Sequence, residues 1–411
     1  MKNSTFLLSH MMRKFIRKGT LRLIDANGKL HVFGGEPGET VTMRLHDKEL
    51  HTKLFFKPEM AMGEGYMDGK LTFEDGSTLY DFLHLFSINR LSLGSYPLQK
   101  LARQISKQMR VVQQYNPVGK AQQNVAHHYD LSRELYELFL DTDLQYSCAY
   151  FDSEDDTLEE AQQNKKRHLA SKLLLGPGQK VLDIGCGWGG LALYLAQIAE
   201  VDVTGVTLSI EQQKVAIERA QKLGLQNRVH FELQDYRKLE TRFDRIVSVG
   251  MFEHVGVRHY PEFFAKIYEM LEDDGVALIH SIGHMSPPGA TGPWLRKYIF
   301  PGAYSPALSE VFAAVEQQSL WVTDVEVLRV HYAETIREWH ARFQANRPRI
   351  AELYDERFCR MWEFYLVAVE MFFRHGSGMV FQMQLSRQRD AAPLTRDYIH
   401  AAETTYRESG N

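Results

Sequence analysis

The stretch Lys180-Val181-Leu182-Asp183-Ile184-Gly185-Cys186-Gly187-Trp188-Gly189-Gly190 constrains this chain more than any other. Apolar residues run into glycines at alternate positions and then into the helical run Leu191-Ala192-Leu193-Tyr194-Leu195-Ala196. Glycine lets the backbone turn tightly and approach a ligand, and the helix that follows presents unpaired N–H groups. The pattern predicts a nucleotide-type site at the carboxyl end of a parallel strand. From about residue 124 onward strand and helix patterns alternate, which predicts a parallel α/β sheet. Strands are expected at Lys180–Ile184, Val201–Val206, Val229–Leu233, Arg245–Val249, Val276–Ile282 and Leu320–Val330. Helices are expected at Ser309–Gln318 and Ala333–Ala345.

Gly185, Gly187 and Gly190 also satisfy the dinucleotide pattern G-x-G-x-x-G, so the glycines alone do not choose a ligand. Asp183 before the first glycine, with the crowded Trp188-Gly189-Gly190, resembles the first motif of S-adenosylmethionine-dependent methyltransferases. The later strand ends carry polar groups suited to a nucleoside. Thr207 and Gln212 follow the second strand and offer hydrogen bonds to ribose hydroxyls. Asp235 and Tyr236 follow the third, in a position to flank an adenine. The fourth strand runs into Phe252-Glu253-His254 and the fifth contains His280. An acid and an imidazole are costly to bury without partners, and Glu253 and His280 are expected at neighbouring strand ends facing the methyl-donor pocket.

Hydrophobic residues make up 44% of the 411 positions, enough for a large core, and no stretch approaches the ~20 apolar residues of a membrane span. The N-terminus lacks the apolar segment and cleavage site of a secretory signal. Cys148, Cys186 and Cys359 have no C-x-x-C spacing, so neither a disulfide framework nor a structural zinc is expected. A reduced, cytoplasmic setting fits. The net charge of −4 conceals local bias, for Lys2 to Arg22 contains Lys2, Arg13, Lys14, Arg17, Lys18 and Arg22 and no acid. A second acid-free run holds Arg90, Lys100, Arg103, Lys107, Arg110 and Lys120. Phe6, Leu7, Leu8, Met11, Met12, Phe15 and Ile16 make the first run a basic amphipathic helix, the type that rests on anionic membranes, with a solvated helix face as the plain alternative. Neither run has the interleaved aromatics of a nucleic-acid surface.

Residues 1–95 read as a small α+β domain, with short strands on either side of Asp25-Ala26-Asn27-Gly28 and a helix over Leu79–Ile88. Glu64-Gly65-Tyr66-Met67-Asp68-Gly69 reads as a compact turn. Residues 96–123 read as a linker and 124–411 as the catalytic domain. The expected architecture is a doubly wound, Rossmann-like class I methyltransferase sheet with a small N-terminal α+β domain.

Thr142-Asp143-Leu144-Gln145-Tyr146-Ser147-Cys148-Ala149-Tyr150-Phe151, preceded by His128-Tyr129-Asp130, resembles the cyclopropane fatty acid synthases, as do the segments around Gly185, Glu253 and His280. These motifs occur in the family's order over roughly residues 60 to 385. The Glu64–Gly69 segment is similar to a motif of longer bacterial members that carry an N-terminal lipid-binding domain. The resemblance implies an enzyme that transfers a methylene group from S-adenosylmethionine to the double bond of unsaturated acyl chains in membrane phospholipids. It implies that Tyr146, Ser147, Gly185, Gly187, Thr207, Leu208, Gln212, Asp235 and Tyr236 surround the methyl donor. It implies equally that Cys148, Glu253, His280, Ile282 and Tyr332 hold a bicarbonate ion. Cys148 is expected to donate a hydrogen bond rather than act as nucleophile. Tyr150, Phe252 and Tyr332 are candidates to face a carbocation.

One position departs from the family, whose members often carry a cysteine where this chain has Val369; Cys359 lies about three helical turns away. A lipid methyltransferase that leaves a methyl branch without closing a ring is therefore the alternative. A lipid-binding protein without turnover and an NAD-dependent oxidoreductase, with Glu211 about 20 residues beyond the glycines, are further alternatives. A homodimer is a candidate assembly. The expected location is cytoplasmic, peripherally on the inner membrane.

Overall fold

The computed structural model describes residues 2–90 and 131–408, and the chain divides into two compact units. The expected linker 96–123, the motif His128-Tyr129-Asp130 and all of the second basic run except Arg90 lie outside the described residues. The units are not the contiguous segments expected from the sequence. Ala290–Pro301 and Ile336–Ser377 belong with the N-terminal residues in the first unit, whereas Gly302–Thr335 and the residues from Gly378 belong to the second.

In the first unit, β1 (Lys18–Ile24), β2 (Leu30–Gly34), β3 (Glu36–Leu45) and β4 (Leu71–Glu74) form a sheet of order β2-β1-β3-β4. The turn between β1 and β2 follows from its sequence. The Asp25 carboxylate accepts from the Asn27 and Lys29 N–H groups at 2.9 and 3.1 Å, and Gly28 takes φ +82°. The helix Leu79–Ile88 has the bounds expected, because Thr78 and Asp81 form a reciprocal capping box. The helix Lys2–Phe15 turns Leu8, Met11, Met12 and Phe15 into the unit's core, and Ile16 just beyond it is buried too. Arg13, Lys14, Arg17 and Lys18 stay exposed.

Glu64-Gly65-Tyr66-Met67 is not a turn but the end of the helix Pro58–Met67, and only Asp68-Gly69 turns. Its glycines are there for packing. A Cβ on Gly63 would lie 2.3 Å from the Trp294 indole, and Tyr66 donates to Glu363 at 2.8 Å. Residues more than two hundred positions apart in sequence thus complete this unit, which no local pattern reveals.

The second unit is a seven-stranded sheet of order β10-β11-β9-β8-β5-β6-β7. Its strands are β5 (Lys180–Ile184), β6 (Asp202–Thr207), β7 (Val229–Leu233), β8 (Phe243–Val249), β9 (Leu271–His284), β10 (Trp321–Leu328) and β11 (Gly378–Ser386). β7, β6, β5, β8 and β9 run parallel, and β11 and β10 close one edge antiparallel. This is the doubly wound α/β sheet expected. β11 was not foreseen, because Gln382 and Gln384 interrupt its apolar run although both are buried. The sequence order reverses between β5 and β8, and crevices at such a switch point bind ligands beyond the strands' carboxyl ends.

Candidate active site

After β5, Gly185, Gly187 and Gly189 take φ values of +81°, +53° and +82°, a region that costs other residues roughly 1–2 kcal/mol. Gly189 is the N-cap of the helix Gly190–Ile198. A Cβ on Gly190 would lie 2.5 Å from an Asp143 carboxylate oxygen, so the loop 141–147 lies directly against this helix start.

The loop and the ends of β5, β6, β7 and β8 enclose one cleft of ≈ 1370 Å³, part of it open to solvent. The nine residues expected to surround the methyl donor line it, Tyr146, Ser147, Gly185, Gly187, Thr207, Leu208, Gln212, Asp235 and Tyr236, and so does Asp183 of the first motif. Thr207 donates its hydroxyl to the Gln212 amide oxygen at 3.0 Å, which leaves the Gln212 NH₂ as a donor towards a ligand. Asp235 is held by Arg237, whose Nε and Nη2 lie 2.9 and 2.6 Å from its carboxylate oxygens. Glu211, the acid that an NAD site would want, is exposed outside the cleft.

Lys165, His254 and Arg237 also line the cleft and were not foreseen. Lys165 lies on the helix Leu158–Lys172, whose polar run Gln162-Gln163-Asn164-Lys165-Lys166-Arg167-His168 is largely buried. Its ammonium donates to the Gln145 amide oxygen at 2.6 Å and to the Ser147 hydroxyl at 2.8 Å. Burial pulls Lys165 down to about 8 and pushes Asp183 up to about 7. The Asp183 Oδ2 has no hydrogen-bond partner among the described residues. A buried, unpartnered carboxyl in a cleft is poised for a cationic or N–H-bearing ligand.

The expected anion-holding residues do not line this cleft. Glu253 sits in the 3₁₀ turn Phe252–His254 after β8, and its Oε1 accepts the Ile282 N–H at 2.6 Å. Its other oxygen has no hydrogen-bond partner among the described residues, and burial pushes the acid up to about 7. His280 lies opposite Val249 in the β8–β9 ladder. Its Nδ1 is 3.3 Å from the Gln382 amide nitrogen, and burial, reinforced by the nearby Lys165 and Lys172 charges, pulls it down to about 3.

Cys148 is buried and donates to the Ala149 carbonyl at 3.3 Å. Burial pushes its thiol far up, so at neutral pH it is a thiol and not a nucleophile. The Ala149 N–H donates to Thr335 Oγ1 at 3.0 Å, which ties the Cys148 loop to the helix bearing the buried Tyr332. Lys165 is the charge felt by Asp183, Cys148 and His280 alike, so the cleft and these groups share one electrostatic environment.

Two expected cation-facing aromatics are already occupied. Phe252 is fully buried, stacked on Tyr260 at 4.4 Å and packed on Phe263 and Phe264. Tyr150 stacks on His168 at 4.2 Å and on His331 at 4.9 Å, so its ring has no free face. Tyr332, the third, is buried near the start of the helix His331–Ala345.

Residues 118–383 match the mycolic acid cyclopropane synthetase family. The chain is 38% identical over 349 residues to the cyclopropane-fatty-acyl-phospholipid synthase of Escherichia coli, covering 84% of this chain and 87% of that one. It is also 38% identical over 285 residues to a tuberculostearic acid methyltransferase of Mycobacterium tuberculosis, covering 66% of each chain. Among solved structures, the cyclopropane synthase MmaA2 from Mycobacterium tuberculosis superposes with a TM-score of 0.62 at 32% identity, covering 66% of this chain and 98% of that one. The mycolic acid cyclopropane synthase CmaA1, complexed with SAH and CTAB, superposes with a TM-score of 0.62 at 34% identity, covering 66% of this chain and 99% of that one. With the glycine-turned cleft at the switch point of the sheet, these matches make the chain a member of the cyclopropane synthase family of S-adenosylmethionine-dependent methyltransferases.

Proposed function

We propose that this enzyme transfers a methylene group from S-adenosylmethionine to the double bond of an unsaturated acyl chain in a membrane phospholipid and closes a cyclopropane ring. The observation that carries this reading is the buried Glu253 carboxyl at the end of β8, with one oxygen held by the Ile282 N–H and the other unpartnered. Near 7 this acid keeps a proton in much of the population, so its free oxygen can donate to a small oxyacid anion beside the methyl-donor cleft. The residues that would hold bicarbonate there are Cys148, Glu253, His280 and Tyr332, with the Ile282 N–H fixing Glu253 in place. When bound, bicarbonate supplies the base that takes a proton from the transferred methyl.

The chain's own residues account for the rest. An isolated alkene is a weak nucleophile, so the cleft's first task is to hold the sulfonium methyl in line with it. The alkene π electrons form the new C–C bond, the S–CH₃ bond breaks towards sulfur, and a carbocation is left on the second carbon. Loss of a methyl proton then lets the C–H electrons close the ring. Any added positive charge or reactive nucleophile beside that cation would spoil the sequence. His280, pulled down to about 3, remains uncharged there. Cys148 remains a thiol, and Glu253, near 7, retains a proton in much of the population at neutral pH and can donate to an anion.

The second reading, a lipid methyltransferase that leaves a methyl branch, rests on Val369. It lies in the helix Glu356–Arg374 of the first unit, and Cys359, ten positions earlier in that helix, is about 15 Å away along its axis. Mass spectrometry of acyl chains after incubation with unsaturated phospholipid vesicles and isotope-labelled S-adenosylmethionine tests both. One labelled methylene with loss of the double bond is the expected result. A labelled methyl with the alkene retained supports the second reading, and absence of label overturns both. The lipid surface is reached, in this proposal, through the first unit and its exposed basic residues Arg13, Lys14, Arg17 and Lys18.

A further inference from the structure

His280 is part of a polar rung that crosses three strands. In the register of the sheet Glu326 on β10 lies opposite Gln382 on β11, and Gln382 lies opposite His280 on β9. The helix Leu158–Lys172 covers this rung with His168 and Lys172. Lys172 is fully buried and donates to Glu326 and, at 2.9 Å, to the Gln382 amide oxygen. His168 bridges Glu326 and Glu403, its Nε2 2.7 Å from a Glu326 oxygen. The two carboxylates raise the His168 pKa against the effect of burial, and His168 and Lys172 together hold Glu326 below the usual carboxylate range.

The chemistry of this row leaves one arrangement of protons. An ammonium has three donors and no acceptor, so the Gln382 oxygen must face Lys172. The NH₂ of the same amide then faces the His280 Nδ1, at 3.3 Å. An amide NH₂ only donates, so Nδ1 must accept, and the neutral ring carries its hydrogen on Nε2.

We propose that Lys172 and Gln382 are positioning residues that fix His280 as the Nε2–H tautomer, so that its imidazole acts in the reaction as a neutral hydrogen-bond donor. An oxyanion only accepts, and the opposite tautomer would present it with a lone pair. An imidazolium would instead place a positive charge beside a developing carbocation. Gln382 and Lys172 are both fully buried, so neither amide nor amine can turn to water instead. The inference rests on assigning His280 to the anion-holding group.

The test is the ¹⁵N spectrum of histidine-labelled protein, with the His280 signals identified by difference against His280→Gln. In the wild type the protonated ring nitrogen of His280 is expected to be Nε2, and an Nδ1–H pattern overturns the proposal without need of any variant. In Gln382→Glu the new carboxylate, kept ionised by Lys172, accepts from Nδ1 and pulls the hydrogen across the ring. That variant is expected to show the Nδ1–H pattern with kcat lowered about 10- to 100-fold and KM for the methyl donor unchanged. Lys172→Arg, which keeps a cation that only donates, is expected to retain the wild-type tautomer and most of kcat, whereas Lys172→Met is expected to lose both. An unchanged tautomer and kcat in a folded Gln382→Glu protein would overturn the proposal. Because the spectrum is taken on resting protein, it reports on the tautomer even where product analysis fails to find a ring.

Discussion

Asp183 is a carboxyl that the fold strains to keep. Burial pushes it up to about 7 from an ordinary value near 3.8. Between those two values the folded chain retains a proton that the unfolded chain has released, so stability is full below about pH 4, falls as pH rises to about 7, and is level beyond. Asp183→Asn removes the ionisable group. Its stability relative to the wild type, from urea denaturation without methyl donor, is expected to climb by up to about 1.4 kcal/mol per pH unit across that window. A difference that does not vary with pH would refute the assignment of a strained acid. The thiols give a second prediction at this scale. Cys148, Cys186 and Cys359 are all buried, and burial raises each of them. Iodoacetamide at about pH 8 is expected to modify none of them in the folded protein and all three in denaturant. Rapid modification of Cys148 with parallel loss of activity would show it to be a reactive thiolate.

Among elements, the glycine turn after β5 separates two kinds of need for the same residue. A Cβ on Gly189 would lie 2.7 Å from the Phe231 ring and 2.9 Å from the Ala216 methyl, at φ +82°. At Gly187 the φ is +53° and nothing among the described residues lies within 4 Å of a Cβ, which would project beside the cleft. Gly189→Ala is therefore expected to cost about 2–3 kcal/mol of stability, strain and overpacking together, and Gly187→Ala about 1 kcal/mol. Gly187→Ala is nevertheless expected to weaken the methyl donor at least as much, by titration calorimetry; unimpaired binding would mean that the donor does not approach this turn. This motif was legible in the sequence because its requirement is local: backbone angle, strand before, helix after. The helix Leu79–Ile88 was legible for the same reason, through Thr78 and Asp81. β11 and the buried face of Leu158–Lys172 were not. Lys172 pairs with Gln382 and Gln384, and Lys165 with Gln145, across elements, and one chain segment read alone cannot distinguish a partnered buried amide or amine from a solvated one. Phe252 and Tyr150 misled in the opposite direction, because aromatic character says nothing about which face of the ring is already covered.

At the scale of the whole molecule the balance of charge conceals where charge acts. The formal total is −4, yet Lys2 to Arg22 holds no acid. In an amphipathic helix that enters a bilayer, the apolar face supplies most of the affinity. Here that face is spent, since Leu8, Met11, Met12 and Phe15 are buried in the core of their own unit. What remains for a membrane is Arg13, Lys14, Arg17 and Lys18, all exposed, each contributing on the order of 1 kcal/mol near an anionic surface. Docking of this kind is electrostatic, with a definite dependence on salt and headgroup. The full chain is expected to co-sediment with vesicles of anionic phospholipid at low ionic strength and not with zwitterionic vesicles. It is expected to dissociate at about 1 M salt, where the screening length is about 3 Å. Replacing the four residues with glutamate is expected to abolish low-salt binding while leaving the melting temperature nearly unchanged, because none of the four side chains is part of the core. Binding that survives both high salt and charge reversal would place the docking surface elsewhere and make its force apolar.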